Sequence, residues 1–451
     1  MYSATVNPSV ALFRFEAERD KARSLSKAMT AGRTLLAASL LLAPLAFGAV
    51  EPWAWGALAA VAAILLWLWV GASAGQPTLR VVWSPLYLLA AAFVLFALLH
   101  LPGQLTRDAA STREPLLKLA TDMLFFFMAL QLWGTASGQV WRNLGFAVAA
   151  LAFALSVLAI LQFFSNPNLI YWSVKPRWGG WIFGPYVNHN HYAGLMEMMI
   201  PVATGFFLSL HPHSPGRALL GFAVLVPVAS VLLSGSRGGF IALLVESLLF
   251  LTVLLRFGPS VRRRFLAAGA GLGVTMAALI FFWMDPGAVA GHLATVFERQ
   301  PPPQIEAGFE ARATLSKDAL RILRHHPWFG TGLGTFEVVY PQYQSFPSDE
   351  VWSHAHDDYA EALAETGLVG GASIAASLIL FGRLAFRNLA DRLSDSAGWI
   401  QLGAAIGCCG LLVHSLFDFN LHIPANAAWF AACAAWATGK PSHPSLREER
   451  E

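Results

Sequence analysis

Apolar stretches long enough to cross a bilayer recur about a dozen times along this chain, and that repetition limits the folds open to it. They fall near 34–50, 54–71, 84–101, 116–134, 143–165, 192–211, 217–234, 238–256, 266–284, 367–386, 398–418 and 424–438. In lipid every backbone amide must find its partner inside the protein, so spans of this length form helices. The composition agrees: 56% of residues are hydrophobic, 13% are charged and mean hydropathy is +0.53, whereas a soluble domain carries roughly 25% charge. The expected fold is an all-α polytopic membrane protein with about 12 transmembrane helices. One large helical loop separates the ninth helix from the tenth.

Five regions follow. Residues 1–33 are a cytoplasmic lead-in, 34–284 hold helices one to nine, 285–366 form the loop, 367–438 hold the last three helices, and 439–451 are a cytoplasmic tail. Orientation comes from the basic residues. Arg80, Arg142, Arg217, Arg256, Arg262 to Arg264, Arg383, Arg387 and Arg392 fall with both tails on one side, which the positive-inside rule makes the cytoplasm. The 285–366 loop then lies outside, in the periplasm of a cell with two membranes. A cleavable leader is not expected, because the first span is followed by many more. The net charge of +3 offers no basic surface for nucleic acid. Cys408, Cys409 and Cys433 sit in apolar stretches and none is in the loop, so no disulfide framework is implied.

The loop is too long for a connector. Past Pro301-Pro302-Pro303, apolar Phe309, Ala313, Leu315, Ala319, Leu320 and Leu323 recur at helical spacing opposite Arg312, Lys317, Arg321 and Arg324. This is an amphipathic helix that lies on the membrane or caps the bundle. The run His326-Pro327-Trp328-Phe329-Gly330-Thr331-Gly332-Leu333-Gly334 is a tight turn, of a kind that can also cradle phosphate. From Ser353 to Gly367 the pattern predicts a short helix, with Ser353 as N-cap, His354 and His356 in its first turn, and Gly367 as its stop.

Three further clusters fall at outer helix ends. Arg237, inside Gly235-Ser236-Arg237-Gly238-Gly239, is a charge beside the apolar slab, which marks a functional site unless it snorkels to headgroups. Lys175, Arg177, Trp178 and Trp181 precede His189-Asn190-His191. They suit an anion or a sugar, or an ordinary aromatic belt. His414, Asp418, Asn420 and His422 form the third cluster, in which His414 and Asp418 are spaced to share a helix face. The two H-x-H pairs could ligate a metal, but neither is an H-E-x-x-H motif and no metal is expected.

The order of these motifs resembles the O-antigen ligase and polymerase superfamily over roughly residues 175–435. One ligase signature is a histidine, then Asn, Ser or Gln, nine residues, and G-x-x-G. Here it reads His356, Asp357, nine residues from Asp358 to Thr366, then Gly367-Leu368-Val369-Gly370, with Asp357 departing from the usual amide position. The resemblance implies a GT-C-type transferase of the bacterial inner membrane, working on the periplasmic face without cofactor, nucleotide sugar or metal. Its donor would be an undecaprenyl-diphosphate-linked glycan, and its acceptor lipid A–core or a second lipid-linked glycan. Arg237 and Arg312 match positions that hold the donor diphosphate, and His356 matches the essential histidine. Lys175, Arg177, Trp178, His189, Ser236, His354 and Asp357 are the expected substrate-binding residues. The chemistry fits the residues: a base is needed for the acceptor hydroxyl, and cations for the departing diphosphate.

Two other classes compete. A lipid-linked-oligosaccharide flippase would suit the span count, but its charges belong in a central cavity rather than an outer loop. A metal-dependent membrane hydrolase is the more distant alternative.

Overall fold

The computed structural model describes residues 8–74, 76, 78–101, 105–176, 180–257, 309–348, 351–387 and 389–439. The described elements are all helical, apart from two isolated bridges, Ile170 with Val174 and Phe183 with Tyr186. Helices α1 to α8 are Pro8–Leu42, Pro52–Ala74, Leu86–His100, Ala109–Trp133, Gly138–Ser165, His189–Ser209, Arg217–Ser234 and Arg237–Phe257. After residue 308 come α9 (Phe309–His325), α10 (Phe336–Val339), α11 (Asp358–Ala385), α12 (Leu389–Arg392), α13 (Ser396–His414) and α14 (Pro424–Thr438).

Nine of the described helices are long and apolar enough to cross a membrane. Helices α3 and α14 coincide with the third and twelfth expected spans but reach only 15 residues each. The expected ninth span, 266–284, and the Pro301-Pro302-Pro303 run lie outside the described residues.

Helices α6 and α13 are the two most enclosed of the nine. Their backbones touch because glycine removes the side chain between them. A Cβ on Gly403 would come within 2.2 Å of the Pro201 carbonyl oxygen, and one on Gly407 within 2.9 Å of that of Glu197. Small residues at such crossings are what lets helices pack closely in lipid, where apolar burial gives no drive.

The two ends of the bundle differ in charge. At one end Arg33 donates from Nε to the Leu132 carbonyl at 2.7 Å. Arg392 caps two helix ends there, donating to the carbonyls of Ala385 at the end of α11 (3.2 Å) and Ala437 at the end of α14 (2.7 Å). These are the residues the positive-inside argument groups together. The opposite end carries the starts of α6, α8, α11 and α14 and the end of α13.

The loop after residue 308 builds a small core of its own at that opposite end. Leu315, Ala319 and Ile322 of α9 pack with Phe336, Val339, Tyr340, Ala355, Ala360 and Ala364. The predicted amphipathic helix is therefore present and caps the bundle by packing on α11. Leu320 departs from the expected apolar face and is exposed, while Asp318 is buried in it. Asp318 is tolerated because Arg321 (2.8 Å) and the Ser345 amide (2.9 Å) satisfy it.

The histidine helix differs from expectation in both its start and its end. It begins at Asp358, with Asp357 as N-cap accepting from the amides of Tyr359 (3.1 Å) and Ala360 (3.0 Å). His354 and His356 lie before the cap in non-helical chain, so the helix dipole does not act on them as first-turn residues. Gly367 breaks the helix with φ 62 and ψ −165 but does not end it, and α11 resumes to Ala385. The break is filled by the glycine run. Leu368 N donates to the Pro327 carbonyl (2.7 Å) and Val369 N to that of Trp328 (3.1 Å). In return Gly332 N donates to the Glu365 carbonyl (2.8 Å), and Gly334 N and Phe336 N to the Glu365 carboxylate (2.8 and 2.9 Å). Those amides are committed to the protein, so the run serves as a wedge rather than a phosphate cradle.

Candidate active site

The end of the bundle beneath the α9 cap gathers its polar side chains around one carboxylate. Helix α13 stops at His414, short of the expected 418, and the turn that follows carries Asp418 into a fully buried position. Arg312 on α9 reaches it with Nη1 at 3.4 Å from Oδ2, and the same Nη1 donates to the Phe417 carbonyl at 2.8 Å. His191 Nε2 and His356 Nδ1 each stand 3.6 Å from Oδ1, which also accepts from the Phe419 amide at 2.8 Å. Burial would raise the pKa of Asp418, but the Arg312 charge and the two imidazoles outweigh it and hold the carboxyl well below the usual range. His356 takes a left-handed backbone conformation, φ 52, uncommon for a residue with a side chain. That turn, between an extended segment and the Asp357 cap, aims the ring inward.

One helical turn connects this cluster to the Arg237 loop. His191 faces Asp418, while His189, two residues earlier, faces the other way. Its Nδ1 lies 2.7 Å from the Ser234 carbonyl, and its ring stacks on Trp181 at 4.6 Å. Ser236 caps α8, accepting from the Gly239 amide at 3.1 Å. A Cβ on Gly238 would come within 2.3 Å of the His414 ring, so the N-terminus of α8 is pressed against the last turn of α13. Arg237 is exposed at that N-terminus. The three residues expected to do the chemistry, His356, Arg312 and Arg237, therefore come to the same end of the bundle.

Residues 222–375 match the family model described as O-antigen ligase. That segment, about a third of the chain, is similar to the O-antigen ligase/polymerase superfamily. No curated protein matches the chain. The matched segment contains Arg237, Arg312, His354 and His356, but Asp418, which draws Arg312 and His356 together, lies 43 residues beyond its end, and His189 and His191 lie before its start.

Beside the Asp418 cluster lies a cavity of about 710 Å³ between α3, α4, α11 and α14. Its wall is mostly apolar, with Leu89, Phe93, Met123, Phe126, Leu378 and Phe430 among the lining, and Lys118 and Asp122 of α4 also face it. Its polar rim includes His354, Asp358, Glu361 and His422. His354 Nδ1 lies 2.8 Å from Glu361 Oε1; His422 Nδ1 lies 2.9 Å from Asp358 Oδ1 and its Nε2 3.3 Å from Glu361 Oε1. Burial opposes a charge on His422, but Glu361 and Asp358 overcome it and push its pKa up to about 10. The Phe419 ring divides the two clusters: it stacks on His354 at 4.3 Å and meets His356 (4.9 Å) and His191 (4.7 Å) edge-on.

The remaining expected site residues scatter. His354 turns to the cavity and away from His356, as positions two apart allow. Asp357 is a helix cap; burial raises its pKa against the amides that hold it. This explains the departure from the ligase signature, since Asn, Ser and Asp are all favoured N-caps. Lys175 is exposed in the 166–188 loop. Arg177 and Trp178 lie outside the described residues. Sequence reasoning did not single out Glu361, the partner of His354, or Phe419, the partition. Glu361 falls on the face of α11 toward the preceding histidines, and a buried acid so close to two histidines was the available signal.

Proposed function

We propose that this protein transfers a glycan from an undecaprenyl-diphosphate carrier to an acceptor sugar hydroxyl, with lipid A–core as the acceptor. The gathering of His356, Arg312 and the Arg237 turn at one end of the bundle supports this reading. His356 presents Nδ1 to Asp418, which leaves Nε2 to take the acceptor proton. The 3.6 Å separation is longer than a hydrogen bond, and contacts of this kind tighten when substrate binds. As the hydroxyl oxygen bonds to the anomeric carbon, the bond from that carbon to the phosphate oxygen breaks and the configuration inverts. The lipid diphosphate departs with negative charge. Arg312 and Arg237 stabilise that charge, each as a planar fork that matches phosphate oxygens, so the transfer needs no metal. The polyprenyl tail takes the apolar cavity between α3, α4, α11 and α14, reached from the bilayer.

The same machinery would extend a glycan if the acceptor were a second lipid-linked unit, which is polymerase chemistry. Purified protein in proteoliposomes, given a lipid-linked donor and lipid A–core, distinguishes the two. One added block on lipid A–core is the ligase outcome, and a ladder on the lipid carrier is the polymerase outcome. No transfer to either acceptor, or full transfer by His356→Ala, overturns the proposal.

A further inference from the structure

We propose that His354, Glu361 and His422 form a binding site for a late first-row divalent cation, zinc foremost, on the rim of the cavity. The three donor atoms lie within 4.8 Å of one another and come from three different segments. His354 belongs to the extended chain before α11, Glu361 to the first turn of α11, and His422 to the short turn between α13 and α14. Two imidazoles and a carboxylate are a zinc-type donor set, and hard cations such as magnesium prefer all-oxygen shells.

Three features go beyond a chance grouping. His422 Nδ1 is held by Asp358 at 2.9 Å, which turns Nε2 toward Glu361; a carboxylate behind a ligating histidine is the usual outer support of a bound metal. Glu361 Oε2 accepts from the Ala355 amide at 2.7 Å, leaving Oε1 as the atom facing both rings. The His354 ring plane is fixed by its stacking on Phe419. The donors are thus oriented before any ion arrives.

Charge balance points the same way. Asp358 and Glu361 are both buried, and two carboxylates in that setting need positive charge beside them. A dication held between His354, Glu361 and His422 would supply it. All three ligands line the cavity, so the fourth coordination position would open into it, where water or an anionic oxygen such as a phosphate could sit. The Phe419 ring separates this site from His356, so the assignment does not rest on the transfer reaction.

The test is metal binding by the full chain in detergent, stripped with a chelator and desalted, then titrated with zinc or cobalt(II). One ion per chain at micromolar concentration is expected, with the visible absorption of low-coordinate cobalt and a rise in Tm. His422→Asn, whose amide takes the place of Nδ1 against Asp358 and removes the Nε2 donor, and Glu361→Gln should each weaken binding at least tenfold, while His356→Ala should bind as tightly as the unmodified chain. Unaltered Tm of the ion-free variants shows that they fold. Absence of stoichiometric binding by the unmodified chain, undiminished binding by the His422→Asn and Glu361→Gln variants, or loss of binding in His356→Ala overturns the assignment.

Discussion

His356 is presented by its neighbours rather than by helix geometry. Its inward aim comes from the left-handed turn and from the Asp357 cap that follows, so replacing the ring should leave the fold standing. His356→Ala is expected to lower kcat about 100- to 10,000-fold, the range of a lost general base, with little change in KM or Tm. Asp418 is different, because it is buried and supports Arg312. Asp418→Asn should lower stability by about 2–3 kcal/mol, less than the loss of a fully buried pair because Arg312 retains some exposure. The pH dependence has a definite sign. The folded pKa of Asp418 is depressed, so its contribution is complete above the ordinary value of about 3.9 and fades only as pH falls toward the depressed one. The Tm difference between Asp418→Asn and the unmodified protein should therefore hold steady from pH 7 to about pH 4.5 and shrink only in stronger acid. Part of this arrangement is legible in the sequence: the resemblance singles out His356, Arg312 and Arg237, and the three share one end of the bundle. The role of Asp418 was not, because spacing placed it on a helix with His414. The helix ends at His414, whose ring turns instead to Glu197 at 2.7 Å.

At the scale of elements, periodic apolar patterning located the helices well, since a span must bury its backbone whatever its neighbours do. It failed where tertiary contacts decide. Gly367 has the composition of a helix stop, yet α11 continues, because the wedge from Pro327 to Phe336 supplies the hydrogen bonds that the break exposes. The glycine run has the composition of a phosphate cradle, yet its amides face Glu365. Both misreadings arise from one interlocked joint, which no local pattern reveals. That joint predicts a severe effect at Gly367. Its φ of 62 with ψ of −165 is a glycine-only conformation, and a Cβ there would come within 2.5 Å of the Trp328 backbone. Gly367→Ala should cost about 2–4 kcal/mol by adding strain to overpacking, read as a lower Tm in detergent. It should also reduce transfer, because the same helix carries the Asp357 cap that orients His356.

For the whole molecule, the arrangement of a polar site beside an apolar cavity is what separates a lipid-linked donor from a soluble one. A transporter would need a polar path from one end of the bundle to the other. Here the histidines and most of the buried acids of the cavity collect at its rim with His354 and His422, Lys118 and Asp122 of α4 pair part-way down, and the rest of the wall is apolar, with Leu89, Phe93, Phe126 and Phe430. Arg312 and the Arg237 turn beside the cavity would receive the diphosphate and the cavity wall the isoprenoid tail, so blocking the wall should affect the two parts of the donor unequally. Ala90 lines the cavity on α3. Ala90→Trp would fill part of its volume without touching Asp418, His356 or the Arg237 turn. Transfer from a full-length polyprenyl donor should fall at least tenfold in kcat/KM, mainly through KM. Transfer from an analogue with a short prenyl tail should change less than threefold, because that tail does not reach the blocked depth. Equal losses with both donors would place the lipid elsewhere and make the cavity irrelevant to donor binding. An unequal loss would show that the isoprenoid, held in the helix bundle, positions the reacting sugar at a site formed by the loop.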